Sequence, residues 1–508
     1  MSLMTVSRSL SLTFHLSADH VVDFSALALA GGRGRGQPII DVFFDTADQD
    51  LREAGLCLSV RRMDGRSVQR ARHWPGERPN PDWPDHFVKK PAPDVDALPP
   101  TFARHLDKAE KHGGLATVCE VTVERRERVS THGRASVVAA LDCGTIRAGD
   151  ARIELREARL RLSTGRPADL FACAREFGKI IPMRLEFASR AERGFLARDG
   201  GWGSPVKKAS LDISPDMNAA EGFATIARGC LRQFSLNMPA FAAGQEIEAT
   251  HQTRVAIRRL RAAMSLFAPI LRDDARDHIR SGLKWLFGEM GAARELDALR
   301  DLCLASNALE AIAVLEPRRL AAHAALSRAL ASRRLDRLLL DVAEWIEAGA
   351  WRRAREPDQA RNRGLPIGVF AARRLTKRRR SFRSAVALFD ALDPEGLHEL
   401  RIEAKKLRYG SEFLAPLARE GKMRERRDKT ISALSALQDT LGLLHDMDVN
   451  EGGLGPAFSI TPATPAKGDA PPSREELHAK GRREAAHAAA MKPFWSEFAI
   501  IEEADRPR

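Results

Sequence analysis

A basic motif of 11 residues occurs twice in this chain, and this duplication constrains the fold more than any other feature. The first copy, 251–261, reads HQTRVAIRRLR, and the second, 398–408, reads HELRIEAKKLR. Offsets 0, 3, 7 and 10 of an α-helix fall within about 80° of its circumference. Each copy therefore predicts a helix with a histidine and three cations along one stripe, which suits an extended anion. The residues predicted to bind this anion are His251, Arg254, Arg258, Arg259, Arg261, His398, Arg401, Lys405, Lys406 and Arg408.

A second motif follows each basic motif. Residues 290–297 read MGAARELD and residues 441–448 read LGLLHDMD. The second motifs are 151 positions apart and the basic motifs 147 positions apart. Two motifs in the same order at nearly the same separation indicate a duplicated helical bundle with a pseudo-twofold relation. We place the repeats at about 217–365 and 366–500.

The hydrophobic period of the chain changes at about residue 217. Up to residue 210, apolar and polar residues alternate with a period of two, and Asp64-Gly65 between two such runs predicts a hairpin. Many short antiparallel strands favour a closed barrel. From residue 217 the period is that of helices. The predicted fold class is α+β multidomain, with an antiparallel β-barrel over residues 1–210 and an all-α bundle over residues 217–500.

The individual elements are predicted from the same periods. The strands are placed at 10–14, 39–44, 56–62, 66–72, 118–124, 136–141 and 152–162. The helices are placed at 18–29, 168–177, 219–236, 246–270, 275–304, 308–330, 333–354, 366–391, 395–420, 423–449 and 475–498. The Pro-rich stretch 74–100 and the Gly/Pro/Ala-rich stretch 452–472 are predicted as connections, and Phe494, Trp495 and Phe498 are expected to dock the last helix.

Charge and composition limit the partners. A net charge of +13 with 81 Lys+Arg favours a polyanion, which could be nucleic acid, a membrane surface or a phosphate polymer. A single tyrosine, and tryptophans that are not interleaved with the basic runs, argue against single-stranded nucleic acid. Six widely spaced cysteines, no apolar run of 18 residues and no signal pattern predict a cytoplasmic protein without a membrane partner.

The helical half resembles the CHAD family, the conserved histidine α-helical domain. The stretches that carry the resemblance are 251–261, 289–297, 398–409 and 437–449, and it covers about residues 217–500. This resemblance implies that inorganic polyphosphate, or another phosphate polyanion, binds in a basic groove between two helical bundles. It also allows location at polyphosphate granules, whereas nucleic acid becomes the weakest of the possible partners.

The first half resembles the CYTH family, the triphosphate-tunnel proteins, and CYTH followed by CHAD is a familiar arrangement. The matching stretches are 42–46, 51–62, 140–149, 160–177 and 189–195. The family includes inorganic triphosphatases, thiamine triphosphatases and class IV adenylyl cyclases. The resemblance implies two acidic clusters that hold Mg²⁺ or Mn²⁺ and inward basic residues that grip a triphosphate.

The acidic clusters of that family are largely replaced here. The strand that should read Glu-x-Glu-x-Lys has Ser9, Ser11 and Thr13. The late acidic strand keeps only Glu157, followed by Arg159 and Arg161. We therefore expect an inactive, anion-binding tunnel without cofactor or metal; the alternative is a residual Mg²⁺- or Mn²⁺-dependent triphosphatase that uses Glu157, Glu120 and Asp142. The cations assigned to this tunnel are Arg61, Arg62, Arg72, Arg126, Arg159, Arg161 and Arg184, with Lys207 or Lys208 in addition and Ser59 in place of an inward arginine.

Three further patterns have an ordinary and a functional interpretation. The basic segment with Arg373, Arg374 and Lys377 is either a surface or targeting run or a third wall of the polyphosphate groove. The 445–448 sequence HDMD and its counterpart at 294–297 suggest a metal site, but we favour acids that pair with arginines inside the bundle. Residues 31–36 lack the flanks of a phosphate-binding glycine loop and are predicted as a flexible basic loop.

Overall fold

The computed structural model describes residues 10–29, 36–74, 83–106, 114–208, 211–244, 246–305, 307–453 and 473–498. The chain divides into two compact units. The sheet unit comprises Met1–Lys207, Arg232–Gln252 and Ala331–Ala348, and the helical unit comprises Lys208–Leu231, Thr253–Leu330 and Gly349–Arg508. Ser9, the loop at 31–35 and most of the 452–472 connection fall outside the described residues.

All strands of the sheet unit belong to one antiparallel sheet. They are β1 Ser11–His15, β2 Gln37–Asp45, β3 Leu56–Met63, β4 Arg66–His73, β5 His86–Val88, β6 Ala116–His132, β7 Ala135–Ala148, β8 Ala151–Thr164 and β9 Arg184–Leu185. The sheet order is β5-β4-β3-β2-β6-β7-β8-β1-β9. Each predicted strand is present, and Asp64 and Gly65 form the predicted β3–β4 turn with φ of 53° and 70°.

The predicted closed barrel is wrong, because the described sheet is open. Its two end strands, β5 and β9, contain 3 and 2 residues and do not pair with each other. A sheet closes only when its edge strands are long enough to exchange a ladder of hydrogen bonds. Period-two alternation predicts the strands and the faces they bury, but it contains no information about which edges meet.

The helices that cover the sheet are α1 Ala18–Ala28, α2 Asp50–Glu53, α3 Pro100–Leu106, α4 Pro167–Ile180 and α5 Arg190–Arg198. α1 and α4 pack on one part of the sheet in a cluster that includes Phe14, Phe24 and Phe171. α5 was not predicted as a helix. Its signal is the capping box in which Ser189 accepts from the amide of Glu192 while the Glu192 side chain accepts from the amide of Ser189.

Helix α10, Arg333–Ala348, packs in the sheet unit although it lies in the part of the chain predicted as the bundle. Leu340 and Ala343 enter the same apolar cluster as the α1 and α4 side chains. Arg175 of α4 forms ion pairs with Asp341, at 2.8 Å, and with Glu344. α10 therefore contributes both apolar and charged contacts to the sheet unit.

The remaining helices are α6 Ala219–Ala242, α7 Glu246–Leu266, α8 Ala275–Ala305, α9 Leu309–Leu330, α11 Pro357–Gly364, α12 Ile367–Ala387, α13 Pro394–Leu414, α14 Gly421–Gly453 and α15 Arg474–Ala490. The first parts of α6 and α12 and the end of α7 meet in an aromatic core. The ring of Phe267 lies 5.7 Å from that of Phe223 and 5.1 Å from that of Phe370. Phe494 and Trp495 are buried beyond the end of α15, as the docking prediction requires. None of the described helices combines the length and the apolarity that a membrane crossing needs.

Candidate anion-binding site

The two copies of the basic motif lie on α7 and α13, and a side chain of the first copy contacts the residue that directly follows the second copy. Arg258 of α7 donates its Nε–H to the hydroxyl of Tyr409 of α13, at 2.6 Å. The Tyr409 side chain is buried, with 3% of its surface exposed, so this contact is part of the packed interior. The duplication predicted from the sequence thus places the stripes of α7 and α13 side by side.

We call Arg254, Arg258, Arg401 and Lys405 the cross-repeat cluster. Lys405 is partly buried, and burial is the main cause that lowers its pKa to about 8. The positive charges of Arg401, Arg258, Arg254 and Arg408 lower the pKa of Lys405 further. Burial and the nearby Arg258 also lower the pKa of Arg254. Like charges from two repeats are therefore held close enough to destabilise one another, and a bound anion would relieve that repulsion.

The glycine of each second motif lies beside an arginine of the cross-repeat cluster. A Cβ built on Gly291 of α8 would lie 3.9 Å from Nη2 of Arg254. A Cβ built on Gly442 of α14 would lie 3.3 Å from Nη2 of Arg401. In both repeats, the glycine of the second motif faces the first stripe arginine, which gives a physical reason for the two motifs to occur together.

The two repeats differ next to the cluster. The rings of His398 and His445 lie 4.7 Å apart. Burial lowers the pKa of His398, and His445, Arg401 and Lys405 lower it further. The first repeat has Arg294 at the position that corresponds to His445. The second repeat thus has a histidine pair, with the pKa of His398 below its ordinary value, where the first repeat has the permanent cation Arg294.

Several motif cations have protein partners. Arg259 is buried, and its guanidinium lies 6.0 Å from the ring of Phe413. The Nζ of Lys406 lies 2.5 Å from Glu403, so its charge is already paired. These residues are placed on the flanks of the stripes rather than in the cross-repeat cluster.

Three other motif residues border the cluster. The exposed Arg261 lies 4.9 Å from the ring of Phe287, which Arg254 approaches to 4.6 Å. Arg408 forms an ion pair with Glu412 and lies 4.5 Å from the Tyr409 ring. His251 lies on α7 one turn before Arg254, in the segment that groups with the sheet unit.

The third basic segment lies on α12, and two of its residues, Arg374 and Lys377, have described surroundings. Arg374 donates from Nε to the carbonyl oxygen of Leu266, the last residue of α7, at 3.2 Å. Arg374 and Lys377 also line a cavity of about 390 Å³ with Glu399 and Glu403. At 100° per residue these glutamates lie on the side of α13 opposite the stripe. Arg373 and Lys377 are both exposed.

The acids of the second motif are used inside the bundle in the first repeat. Asp297 is buried and accepts a hydrogen bond from Arg319, at 3.2 Å. A ring nitrogen of His323 lies 2.8 Å from the same carboxylate oxygen. The prediction that these acids pair with arginines is confirmed for Asp297; the side chains of Asp446 and Asp448 lie outside the described residues.

A second basic site lies in the sheet unit, in a cavity of about 260 Å³. Ser11 of β1, Asp41 of β2 and Ser59 of β3 line it, so the open sheet curls around a polar interior. The arginines that line this cavity are Arg61, Arg70, Arg125, Arg159, Arg161 and Arg190.

Two carboxylates, those of Asp41 and Glu127, line the cavity, and arginines hold the first of them. Asp41 accepts from Nε and Nη2 of Arg61, at 2.7 and 2.6 Å, and lies 3.7 Å from Arg70. Burial acts to raise the pKa of Asp41, but the hydrogen bonds and charge of Arg61 outweigh it and hold the pKa below its ordinary value. Burial is also the largest influence on Arg70, and it lowers the pKa of that guanidinium to about 10.

Asp142 and Glu157, two of the carboxylates considered for metal binding, are held in the same way. Arg125 donates to Asp142 from Nε and Nη2, at 2.7 and 2.6 Å, and Arg190 bridges Asp142 to Glu157. Arg193 holds the other oxygen of Glu157. Burial would raise the pKa of Glu157, but these arginines hold it far below its ordinary range. Guanidinium groups therefore occupy the oxygens that a hard cation would need.

Some of the predicted tunnel residues line the cavity in the structure and others do not. Arg61, Arg159 and Arg161 line the cavity, whereas Arg72 pairs with Asp85 and Arg184 pairs with Asp336. Arg62 and Arg126 are neighbours of lining residues on strands where successive side chains point to opposite faces. Glu120 accepts from Thr122 at 3.3 Å and is not among the lining residues. The sequence reasoning missed Arg70, Arg125 and Arg190; Arg70 shares the period-two face of Arg72, and Arg190 follows the capping serine of α5.

The comparisons with known proteins agree with the helical assignment. Residues 225–454 match the CHAD domain family model, which confirms a CHAD domain in this part of the chain. No curated protein matches the chain. The CYTH resemblance of the first 210 residues stays a prediction.

Three solved structures are similar to parts of the chain. The CHAD domain of the plant Ricinus communis is 25% identical, covers 60% of this chain and 98% of its own, and has a TM-score of 0.41. PptA from Streptomyces chartreusis is 17% identical over 57% of this chain and 100% of its own, with a TM-score of 0.32. A candidate adenylyl cyclase from Hippeastrum, HpAC1, in which triphosphatase activity is dominant, is 15% identical over 38% of this chain and 96% of its own, with a TM-score of 0.26.

Proposed function

We propose that the CHAD domain binds inorganic polyphosphate, or another phosphate polyanion, through the cross-repeat cluster. The observation that carries the proposal is Lys405, whose charge is opposed by four arginines drawn from both repeats. Arginine forks can hold phosphate oxygens in pairs, and lysine supplies a point charge. Polyphosphate repeats one anionic group along its length, so successive phosphates can engage cations from α7 and α13 together. The bundle binds the polymer and breaks no bond.

Binding is tested by titrating the full-length protein with polyphosphate at low salt. We expect replacement of Arg254, Arg258, Arg401 and Lys405 by Ala to weaken binding by at least about a hundredfold, since each lost charged hydrogen bond costs about 1.5 kcal/mol or more. The control is Lys429→Ala on α14, because Lys429 is exposed and paired with Glu425. No retention of polyphosphate at low salt, or full affinity in the fourfold variant, would contradict the proposal.

Nucleic acid is the competing class of polyanion. Both ligands release counterions on binding, so both affinities should fall as salt rises, and salt dependence alone does not separate them. Competition does: we expect polyphosphate to displace DNA and RNA from the protein at matched phosphate concentration. Displacement in the opposite direction would make nucleic acid the preferred ligand.

For the sheet cavity, we propose binding of a phosphate anion without a metal ion. The proposal rests on the cationic lining and on the carboxylates of Asp41, Asp142 and Glu157, each of which is held by arginine. Arg161 and Arg70, which also lies 3.7 Å from Asp41, line the same cavity. Binding of triphosphate that is equal with Mg²⁺ and with a chelator would support it, and binding that requires Mg²⁺ would contradict it.

The alternative is a metal-dependent triphosphatase in the same cavity, and a phosphate-release assay decides between the two. We expect no release from triphosphate above the protein-free rate with Mg²⁺ or Mn²⁺. Metal-dependent release that disappears in Glu157→Gln would make the cavity catalytic. Because Glu157 lies in a buried ion network, the folded state of that variant is checked by circular dichroism, and Ser11→Ala serves as a second variant of a lining residue.

A further inference from the structure

Lys405 and the adjacent Lys406 differ in their ion pairing. The proposed binding of polyphosphate does not depend on this difference. The Nζ of Lys406 is 2.5 Å from the carboxylate of Glu403. No carboxylate of the described residues forms an ion pair with Lys405, and the charges that act most strongly on it are all arginines. The side chain is partly exposed, so a small molecule in solution can reach it.

We propose that Lys405 is an acylation site at which a small acyl phosphate transfers its acyl group to the lysine amine. The surrounding arginines, Arg254, Arg258 and Arg401, suit the phosphate part of such a reagent. The amine lone pair attacks the acyl carbon, the bond from that carbon to the phosphate oxygen breaks, and phosphate leaves with the bonding electrons. The proton lost from the nitrogen passes to water or to the departing phosphate. Atoms and charge balance without any other reactant.

The electrostatics favour this reaction at neutral pH. Only the uncharged amine is a nucleophile, and an ordinary lysine, with a pKa near 10.5, is almost entirely protonated there. Burial and the neighbouring arginines lower the pKa of Lys405 to about 8, so about a quarter of its amines are uncharged at pH 7.5. The arginines that lower the pKa of Lys405 are also the groups that would hold the phosphate part of the reagent.

Acylation would also act on the proposed function, on which this part of the inference rests. An amide at Lys405 has no positive charge and cannot pair with a phosphate oxygen. It removes one of the four cluster charges while Arg254, Arg258 and Arg401 stay in place. A pool of acyl phosphate would therefore lower the affinity of the cluster for polyphosphate.

The experiment treats the full-length protein with acetyl phosphate at pH 7.5 and follows acetylation of each lysine by tandem mass spectrometry. We expect Lys405 to react at least about tenfold faster than Lys406, because of its larger uncharged fraction and the bound phosphate. A parallel reaction uses an uncharged acetyl ester. The ratio of the Lys405 rate to the Lys406 rate should be larger with acetyl phosphate than with the ester, and inorganic phosphate should reduce it.

Equal rates at Lys405 and Lys406, or the same rate ratio with both reagents, would overturn the proposal. Its consequence for binding is measured separately, with polyphosphate titrated against unmodified protein, acetylated protein and Lys405→Gln. Lys429→Gln on α14 is the matched control for loss of one positive charge. If unmodified protein fails to bind polyphosphate, the proposed function falls while the acetylation rates still test the modification site. If it binds polyphosphate and acetylation leaves the affinity unchanged, only the proposed effect of acylation on binding is contradicted.

Discussion

Gly291 and Gly442 occupy equivalent positions opposite the stripe arginines, but they leave different amounts of room. An alanine at position 442 would place its Cβ 3.3 Å from Arg401, whereas an alanine at position 291 would meet Arg254 at an ordinary 3.9 Å. Replacing a glycine inside a helix with alanine also favours the helix by about 1 kcal/mol. Comparison of the two glycine-to-alanine variants therefore separates the effect of helix stability from the effect of the position of the arginine.

We predict that Gly442→Ala weakens polyphosphate binding several-fold while Gly291→Ala changes it little. Both variants should unfold at temperatures equal to or above that of the parent protein, because the guanidinium of Arg401 can shift at small cost. Calorimetric titration and thermal unfolding measure the two effects. Equal affinities for the two variants would mean that the position of Arg401 is unimportant for binding.

Residue chemistry in this chain was only partly predictable from the sequence. The stripe spacing places Arg254 with Arg258 on one face of α7 and Arg401 with Lys405 on one face of α13, since helical geometry fixes those relations. The same reasoning could not tell that Arg374, also on a basic helix, contacts the backbone carbonyl of Leu266. An arginine that binds a carbonyl oxygen and one that would bind an anion occur in the same sequence pattern. Only their tertiary contacts distinguish them.

At the scale of elements, arginine side chains of α12 cap the C-terminal ends of two other helices. Arg374 contacts the last carbonyl of α7, and Arg379 donates to the carbonyls of Ala489 and Met491 at the end of α15. The last carbonyls of a helix lack partners within it, and a cation there also interacts favourably with the helix dipole. The basic run on α12 is thus explained in part by its contacts with the C-terminal ends of α7 and α15.

We predict that Arg374→Ala lowers the stability of the protein by about 1 kcal/mol, through the loss of the α7 contact. Lys377→Ala is the control, because Lys377 is exposed on the same helix and forms no hydrogen bond with the part of the chain that the structure describes. Denaturant unfolding of both variants measures the difference. If Lys377→Ala is equally destabilised, net charge rather than the cap at Leu266 is responsible.

Elements were predicted more reliably than their arrangement. The hydrophobic period located β6, β7 and β8. It placed β8 within two residues of its limits, Ala151–Thr164, but ended the other two well before their last residues, His132 and Ala148. It missed the short helices α2, α3, α5 and α11, which contain too few turns to establish a period. Closure of the sheet depended on edge pairing, which local pattern does not encode.

At the scale of the whole molecule, the sheet unit is assembled from three separate parts of the chain. The boundary predicted between residues 210 and 217 would remove two of those parts from it. Leu340 and Ala343 would leave an apolar cluster, and Arg175 and Arg184 would lose their acidic partners on α10. The hydrophobic period could not reveal this, because the apolar face of an amphipathic helix such as α10 does not specify the surface on which it packs.

We predict that residues 1–210 expressed alone are less stable than the same residues in the full chain. Burial of a leucine contributes about 2 kcal/mol, and the ion pairs of α10 add to that loss. Limited proteolysis should cut the fragment faster at the sites around α4. A fragment in which 331–348 is joined by a flexible linker should regain protection; resistance of residues 1–210 without this addition would contradict the prediction.

Tyr409 is the chain's single tyrosine, and it accepts a hydrogen bond from Arg258 inside the cross-repeat cluster. Protein grown with 3-fluorotyrosine would therefore contain one fluorine environment, placed beside the cations of both repeats. Its ¹⁹F resonance would report occupation of the cluster in the intact protein, without assignment of any other signal. The same residue that joins α7 to α13 provides a spectroscopic probe for whatever binds between them.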